Sequence, residues 1–277
     1  MKPDLFFQQM HRLHLPSMKR ILLFDIDSTL TKTVYHKGKN PLLYALSSVY
    51  GTPIEKKNVI FSGGTERSIV RDLLNANEIK YNDTPDEWER IFPLYRTLLA
   101  ESIANGDMEF QALPNVKELL QKCDENENIE LAIVTGNLAH CAELKLNSAG
   151  INSNLFKRHH EGENKLIGGF GDDDIYRPGL VAAAMKRFNQ LHSSVIPSER
   201  FLVIGDTPKD IHCGHEHKVP GVGVATGIFN VKALGRVADL VLEDFTNEEN
   251  VIDLFMKTTL RQTDSLDYNI PADKKEG

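Results

Sequence analysis

The chain has 277 residues, of which 41% are hydrophobic and 26% are charged, a composition typical of a globular protein with a sizeable core. Its formal net charge of -7 gives no electrostatic reason to expect a nucleic-acid partner or an anionic membrane surface. No apolar run approaches the ~20 residues that cross a bilayer. Three cysteines do not make a disulfide framework, so we expect a cytoplasmic protein.

The two ends of the chain differ from the rest. Residues 1–18 carry Asp4, Gln8 and Gln9 and lack the sustained apolar stretch of a secretory signal. Residues 262–277 are polar, as chain ends that fray often are. We therefore expect an N-terminal extension and a polar C-terminal tail on either side of the folded part.

Five short apolar runs predict buried strands, and helix-like segments lie between most of them. The runs are residues 20–26, 129–136, 200–206, 221–227 and 238–244. They do not alternate apolar with polar residues, which favours a parallel sheet covered on both faces. The alternation of strands and helices predicts a doubly wound α/β fold, in which ligands bind beyond the carboxyl ends of the strands.

Residues 33–111, which follow the first strand, have a different pattern. Three segments show helical spacing, and no convincing strand separates them. Thr65, and Thr84 before Pro85, have the residue types that start helices. The sequence thus predicts an all-helical insert at 33–111 in an α/β core made of residues 19–32 and 112–261.

The first strand ends in "DIDST", with Asp25 and Asp27 separated by one residue. A carboxylate pair at a strand end can bind Mg²⁺, which prefers oxygen ligands. One carboxylate can also attack phosphorus, and the other can give a proton to the leaving alcohol and later activate water. A solvated strand end or a helix cap is the alternative for an Asp-x-Asp pair taken alone.

The second strand ends in "TGN", which is residues 135–137. The hydroxyl of Thr135 and the backbone amides of Gly136 and Asn137 suit a phosphate oxygen. A Thr-Gly pair is also common where a strand is followed by a helix. Residues 135–137 therefore indicate a phosphate site only in combination with the other strand-end residues.

The third strand ends at Asp206, and Asp210 follows in "GDTPKD". Two more carboxylates at a strand end would complete an oxygen cage for Mg²⁺. Arg177, in "YRPG" between the second and third strands, would offer a positive charge for a transferring phosphoryl group.

Taken together and in this order, these groups resemble the four motifs of the haloacid dehalogenase (HAD) superfamily. The resemblance extends over about residues 19–250. The motifs are matched, in order, by Asp25 to Thr29, by Thr135, by Arg177, and by Gly205 with Asp206 and Asp210. Many members have Lys at the third motif, and Arg177 keeps its charge with a planar, forked head group.

The resemblance implies a Rossmann-like core with a helical cap and a Mg²⁺-dependent phosphatase activity. Asp25 would be the nucleophile and a metal ligand. Asp27 would be the general acid and base, with its backbone carbonyl on the metal. Asp206 would be the third protein ligand, and Asp210 would ligate through water or orient its loop.

The stretch "GFGDD" before Arg177 and "GDTPKD" resembles the phosphoglycolate-phosphatase-like branch of the superfamily. A helical cap implies a small phosphorylated metabolite as partner, such as phosphoglycolate or a sugar phosphate, with no nucleic-acid or membrane partner. We expect a monomer or a homodimer. A phosphomutase remains the main alternative, and a haloacid dehalogenase or a non-catalytic phospho-ligand binder agrees less well with the motifs.

The cap segment "SGGTER" is the best candidate for contacting the substrate. Gly63 and Gly64 could present backbone amides to it, and Arg67 a charge. A plain helix start is the alternative.

Two further polar clusters, outside the four motifs, are compatible with metal binding. His212, His215 and His217 follow the fourth motif, and Asp172, Asp173 and Asp174 precede Arg177. Surface or capping roles are favoured for both clusters.

Overall fold

The computed structural model describes residues 19–38, 40–160, 162–246 and 248–261, so the expected N-terminal extension and C-terminal tail lie outside the described residues. The strands are β1 (Arg20–Phe24), β2 (Thr31–Tyr35), β3 (Met108–Ala112), β4 (Ile129–Val134), β5 (Lys157–His160), β6 (Glu163–Leu166), β7 (Gly168–Gly169), β8 (Phe201–Gly205), β9 (Gly221–Val224) and β10 (Leu240–Leu242). The helices are α1 (Pro41–Tyr50), α2 (Glu66–Ala76), α3 (Pro85–Ala104), α4 (Val116–Glu125), α5 (Ala139–Ser148), α6 (Arg177–Leu191), α7 (Pro208–His215), α8 (Val231–Leu234) and α9 (Glu248–Lys257).

The core is a six-stranded parallel sheet with the strand order β10-β9-β8-β1-β4-β7. The five strands predicted from apolar runs are all present, and the doubly wound α/β fold is confirmed. The sixth strand, β7, was not predicted because two glycines carry no apolar pattern.

The central strand β1 explains why the predicted runs are apolar throughout. Leu22 and Phe24 pack into a core on one face of the sheet, whereas Ile21 and Leu23 pack into a second core on the other face. All four side chains are almost completely buried, which contributes about 1.5–3 kcal/mol for each. A strand covered on both faces has no polar side to alternate with.

The insert after β1 contains the three predicted helices, α1, α2 and α3, so a helical cap is present. Thr65 caps α2 with its side chain, and Thr84 immediately precedes α3, as expected. The expectation that 33–111 contains no strand was wrong, because β2 and β3 pair as an antiparallel ribbon that connects the helices to the core. The ribbon was not predicted because "TKTVY" mixes polar with β-branched residues and has no continuous apolar pattern.

The longest described helix, α3, has 20 residues and carries charged side chains from its first turn onward. Within the part of the chain that the structure describes, no helix is both long enough and apolar enough to cross a membrane.

Candidate active site

Three polar residues follow neighbouring strands of the sheet and meet at its carboxyl edge. Asp25 follows β1, Thr135 follows β4 and Asp206 follows β8, and β1 lies between the other two strands. All three line one cavity of about 280 Å³, together with Arg177 from the start of α6. The sheet order therefore brings together residues that are as far as 181 positions apart in the chain.

Asp25, Asp206 and Asp210 form an acidic triad, and the first two of these residues line the cavity. One carboxylate oxygen of each lies within 4.8 Å of the others, and all three residues are buried. Burial raises the pKa of Asp25 to about 7. The pKa of Asp206 is raised well above its usual range, first by burial and then by the charges of Asp210 and Asp25. Three buried carboxylates so close together require positive charge.

The triad fits a hard divalent cation. All its donors are carboxylate oxygens, the atoms that Mg²⁺ prefers. Asp210 Oδ1 is buried and makes no hydrogen bond of regular geometry, and its partner is the Arg177 guanidinium. The backbone of Gly227 also passes so close to Asp206 that a Cβ atom there would lie 1.8 Å from Asp206 Oδ2. A metal ligated here would add positive charge beside three carboxylates that otherwise have the Arg177 guanidinium as their nearest cation.

Asp210 also organises the loop that carries it. Its Oδ2 accepts hydrogen bonds from the backbone amide of Thr207 at 2.9 Å and from the Thr207 hydroxyl at 2.7 Å. In return, the Thr207 side chain caps α7. Asp210 is thus held in place by the turn that follows β8.

Arg177 provides the nearest positive charge. It is the first residue of α6, between the second and third predicted strands as expected. Its Nη2 lies 3.0 Å from Asp25 Oδ1 and also pairs with Asp210 Oδ1. Burial lowers the pKa of Arg177, but the charges of Asp210 and Asp25 raise it further, so its net pKa is above the ordinary value. The guanidinium is charged at every accessible pH.

Asp27 lies at the same cavity and has two partners from the segment after β4. Asn137 Nδ2 donates to Asp27 Oδ2 at 2.7 Å, and Lys145 Nζ donates to the same oxygen at 2.7 Å. Lys145 Nζ also donates to Asn137 Oδ1 at 2.5 Å. Burial is the largest single effect on Asp27 and raises its pKa, but the charge of Lys145, the hydrogen bonds from Lys145 and Asn137, and the charge of Arg177 together outweigh it, so the pKa falls below the usual value.

Sequence reasoning missed Lys145, which lies on α5. The signal was present in the helical spacing, because Lys145 occupies a position of the buried stripe formed by Cys141, Ala142 and Leu146. A lysine in a buried stripe needs a partner, and the sequence alone did not indicate which one.

The other expected phosphate-binding residues also lie at the cavity. Thr135 Oγ1 accepts a hydrogen bond of 2.8 Å from Asn137 Nδ2, and both residues are buried. Gly136 approaches the cap so closely that a Cβ atom there would lie 2.0 Å from the carbonyl oxygen of Gly64. Glycine at position 136 therefore allows the cap to close on the core.

The cap segment 62–67 contacts the core. Gly63 and Gly64 line the cavity, as expected, and Gly63 has a φ of 67° that favours glycine. The Thr65 hydroxyl donates to the carbonyl oxygen of Ile175 at 2.7 Å, and the Glu66 amide donates to that of Gly136 at 2.8 Å. These bonds hold the cap against the loops that carry the motifs.

Glu66 is a second lining residue that sequence reasoning missed. It is buried, and its carboxylate accepts from the Tyr95 hydroxyl at 2.6 Å and from the Leu138 amide at 2.8 Å. Burial raises its pKa to about 7. A buried carboxylate that faces a cavity has a function or a strong structural reason.

Arg67, which the sequence suggested as a substrate contact, does not line the cavity. Its guanidinium binds Asp83 through Nη2 at 2.5 Å and Nε at 3.1 Å, and it lies 3.9 Å from the centre of the Trp88 ring. The structure therefore corrects this assignment, because Arg67 holds the start of α2 against the segment before α3.

We expect Arg67→Ala to lower the free energy of unfolding by about 2–3 kcal/mol, because it removes the partner of a half-buried carboxylate and a cation–π contact. Arg71→Ala, on the same helix, is the matched control. Its partner Asp72 is exposed, so we expect a loss below about 0.5 kcal/mol. Urea denaturation measures both, and equal losses would contradict the role given to Arg67.

Comparison with known families agrees with this geometry. The family model of haloacid dehalogenase-like hydrolases matches residues 22–215, well over half of the chain. The chain belongs to this family. The match includes the strand-end aspartates, Arg177 and the helical insert. No curated protein matches the HAD hydrolase described here.

Solved structures share the fold of this HAD hydrolase. A hydrolase from Pseudomonas syringae has a TM-score of 0.54 at 22% identity, covering 85% of this chain and 98% of its own. A predicted phosphoglycolate phosphatase from Haemophilus somnus has a TM-score of 0.54 at 20% identity, covering 86% and 99%. CbbY from Rhodobacter sphaeroides, in complex with xylulose 1,5-bisphosphate, has a TM-score of 0.57 at 14% identity, covering 83% and 96%. At these identities the similarity concerns the fold alone.

The histidine cluster of this HAD hydrolase has structural partners. His215 pairs with Asp239 at 2.7 Å, and the His217 ring is bonded to the carbonyl oxygen of Pro178 at 2.9 Å. The acidic triad is the one group of three potential metal ligands found in the described residues, and it contains no histidine. Capping and pairing roles agree with the reading favoured from the sequence.

The aspartates at 172–174 also have structural partners. Asp173 forms an ion pair of 2.6 Å with Arg187, and Asp174 accepts a hydrogen bond from the Tyr176 amide. Asp172 accepts from the Ala139 amide at the start of α5. The run therefore caps and anchors the segment between β7 and α6.

Proposed function

We propose that the chain is a Mg²⁺-dependent phosphatase that hydrolyses a small phosphomonoester through an aspartyl-phosphate intermediate. One observation carries the proposal: a buried carboxylate that lines the cavity under the cap, Asp25, lies beside a guanidinium and two further carboxylates. This combination suits attack on phosphorus, because the Arg177 guanidinium and a metal ion bound by the carboxylates would offset negative charge on both the nucleophile and the phosphoryl group.

The protein's side chains divide the reaction between them. A carboxylate oxygen of Asp25 attacks phosphorus and forms a P–O bond, while the bond to the leaving oxygen breaks. Asp27, which is ionised in the free protein because its pKa is lowered, takes a proton from the monoanionic ester and passes it to that oxygen. Asp27 then takes a proton from water as the water oxygen attacks phosphorus, which releases inorganic phosphate and restores Asp25. Asn137 and Lys145 hold the Asp27 carboxylate in place for both steps.

Three groups would hold the cation: the carboxylates of Asp25 and Asp206 and the backbone carbonyl of Asp27. Asp210 would support them directly or through water. The bound ion would supply positive charge to the phosphoryl oxygens and the nucleophile. Arg177 supplies a further charge from the protein itself, and Thr135, with the amides of Gly136 and Asn137, would bind a phosphoryl oxygen.

The limited volume beneath the cap favours a small substrate. The cavity of about 280 Å³ has room for a phosphoryl group and a leaving alcohol of a few carbon atoms. Contacts of Gly63, Gly64 and Glu66 with the core would exclude bulk water while the phosphoryl group is transferred.

The proposed function is tested with purified protein, Mg²⁺ and phenyl phosphate. We expect release of inorganic phosphate with no bisphosphate activator, which separates a phosphatase from a phosphomutase. Transfer of the phosphoryl group only between sugar hydroxyls, with no free phosphate formed, would contradict the proposal.

Arg177→Ala should lower kcat on phenyl phosphate by ~100- to 1,000-fold, the usual effect of removing one preorganised charge from a reaction centre. Arg177→Lys is the matched control and should recover much of the activity, since it keeps the charge near Asp25. Breaking a buried pair also destabilises the fold. Rates are therefore compared below the melting temperature of each variant. Normal turnover by Arg177→Ala would contradict its assignment.

A further inference from the structure

The cavity has a second end, formed by the cap and the β2–β3 ribbon, where the leaving alcohol of a bound ester would lie. Most of its lining is apolar, with side chains of Tyr35, Phe61, Ile69, Leu99, Met108 and Phe110. Outside the acidic triad and Arg177, the charged residues that line the cavity in the described part of the chain are Asp27, Glu66 and Lys145. One cation therefore stands beside two carboxylates.

That cation is already fully engaged. Lys145 Nζ has acceptors at 2.7 Å and 3.0 Å in the Asp27 carboxylate and at 2.5 Å in Asn137 Oδ1. An ammonium group has three donors, so these contacts use its capacity. Glu66 also interacts with Lys145 electrostatically. A second anion on the substrate would have to displace one of these partners.

Two helix N-termini near the cavity, those of α5 and α1, have amides that are already occupied by side chains. At the start of α5, the Leu138 amide donates to Glu66 and the Ala139 amide donates to Asp172. At the start of α1, the amides of residues 42 and 43 donate to the side chain of Asn40. Such amides bind phosphate or carboxylate groups when they are open, and here side chains of the protein have taken them.

Glu66, by contrast, can accept more hydrogen bonds. Each of its two oxygens accepts one bond in the structure, from Tyr95 or from Leu138. A carboxylate oxygen accepts about two bonds, and Glu66 lines the cavity. A hydroxyl group on the leaving alcohol would find an acceptor there, with apolar walls around its carbon atoms.

We propose that this end of the cavity selects an uncharged, hydroxyl-bearing leaving alcohol, with Glu66 as the residue that determines specificity. Glu66 accepts a hydrogen bond from a hydroxyl of the substrate. The same carboxylate, beside Asp27, repels esters that carry a second anionic group, such as phosphoglycolate or a bisphosphate. The inference rests on the proposed phosphatase function and narrows its substrate class to monophosphates of small polyols.

The test compares three substrates in the presence of Mg²⁺: sn-glycerol 3-phosphate, 2-phosphoglycolate and phenyl phosphate. The assays are run at a pH of about 8.5, above the pKa of about 7 that burial gives Glu66, so that its carboxylate is ionised. For the wild-type protein we expect kcat/KM on glycerol 3-phosphate to exceed that on phosphoglycolate at least ~10-fold. Glu66→Gln should lose ~10-fold on glycerol 3-phosphate, the usual effect of a hydrogen bond to a charged group. On phenyl phosphate, which has no hydroxyl, the loss should stay below ~3-fold. Glu118→Gln, at an exposed site on α4, is the matched control and should change none of the three values.

A binding measurement separates this inference from the proposed function. Calorimetry on the Asp25→Asn protein with Mg²⁺ should give a lower Kd for glycerol 3-phosphate than for phosphoglycolate. Selective binding without turnover by the wild type would contradict the phosphatase and keep the inference. A wild-type preference for phosphoglycolate would overturn the inference, and so would an equal loss on all three substrates in Glu66→Gln. If Glu66→Gln does not fold, the inference is tested by the wild-type ratio of kcat/KM on glycerol 3-phosphate to that on phosphoglycolate and by the two Kd values.

Discussion

Asp25→Asn will reduce phosphatase turnover by on the order of 10⁴-fold or more, the effect seen when a covalent nucleophile is removed from an enzyme. An amide oxygen is a poor nucleophile and cannot form an acyl-phosphate. The substitution keeps the size of a side chain that is 7% exposed, so the fold should survive. The measurement is steady-state release of phosphate, together with mass spectrometry of acid-quenched protein, which should detect no phosphoryl group on the variant.

Asp27→Asn is the matched control, because it removes a carboxylate two positions away on the same strand end. Loss of the acid and base should slow turnover by ~100- to 10,000-fold. The variant should still accumulate phosphorylated protein from phenyl phosphate, whose leaving group needs little help from an acid. Phosphorylation of the Asp25→Asn protein at wild-type rate would place the nucleophile elsewhere.

Removal of divalent metal will abolish activity. The triad lies within 4.8 Å and carries three carboxylates, and Arg177 alone does not balance them. Dialysis against EDTA should stop phosphate release, and Mg²⁺ should restore it. Mg²⁺ should also stabilise the folded protein, by about 2.7 kcal/mol at 100 times its Kd, which raises Tm by roughly 5 °C.

Two aspartate variants make this result specific to the triad. Asp206→Asn should lose the Mg²⁺-dependent rise in Tm, because it removes a ligand. Asp253→Asn, in an exposed pair with Lys257 on α9, should keep it. Full activity in chelator, or an equal rise in Tm for both variants, is incompatible with a cation at the triad.

Much of the site could be predicted because parallel strands end at the same edge of a sheet. Asp25, Thr135 and Asp206 each follow a buried apolar run, and recognising the runs as strands of one parallel sheet was enough to place these residues at the same edge. The structure shows in addition that the three strands are neighbours. The cap helices were predictable for a local reason as well, since Thr65 and Thr84 stand where helices begin.

Other parts could not be predicted, because their partners are remote in sequence. Lys145 is 118 positions from Asp27, and Glu66 is 72 positions from the Leu138 amide that it accepts from. The helical spacing marks Lys145 as buried, but nothing local places either residue at the cavity. Arg67 shows the converse case. Its charge suggested a substrate contact, but its guanidinium binds Asp83 and lies over the Trp88 ring within the cap.

The sequence by itself determined the α/β class, the presence of a helical insert and the set of strand-end residues, because these follow from local apolar patterns and from residue types with known chemistry. Only the tertiary structure decided which charges meet at the cap end of the cavity. There Lys145 pairs with Asp27, and Glu66 accepts a hydrogen bond from the Leu138 amide at the start of α5. Side-chain electrostatics depends on distance and burial, and both arise only when the cap packs against the core.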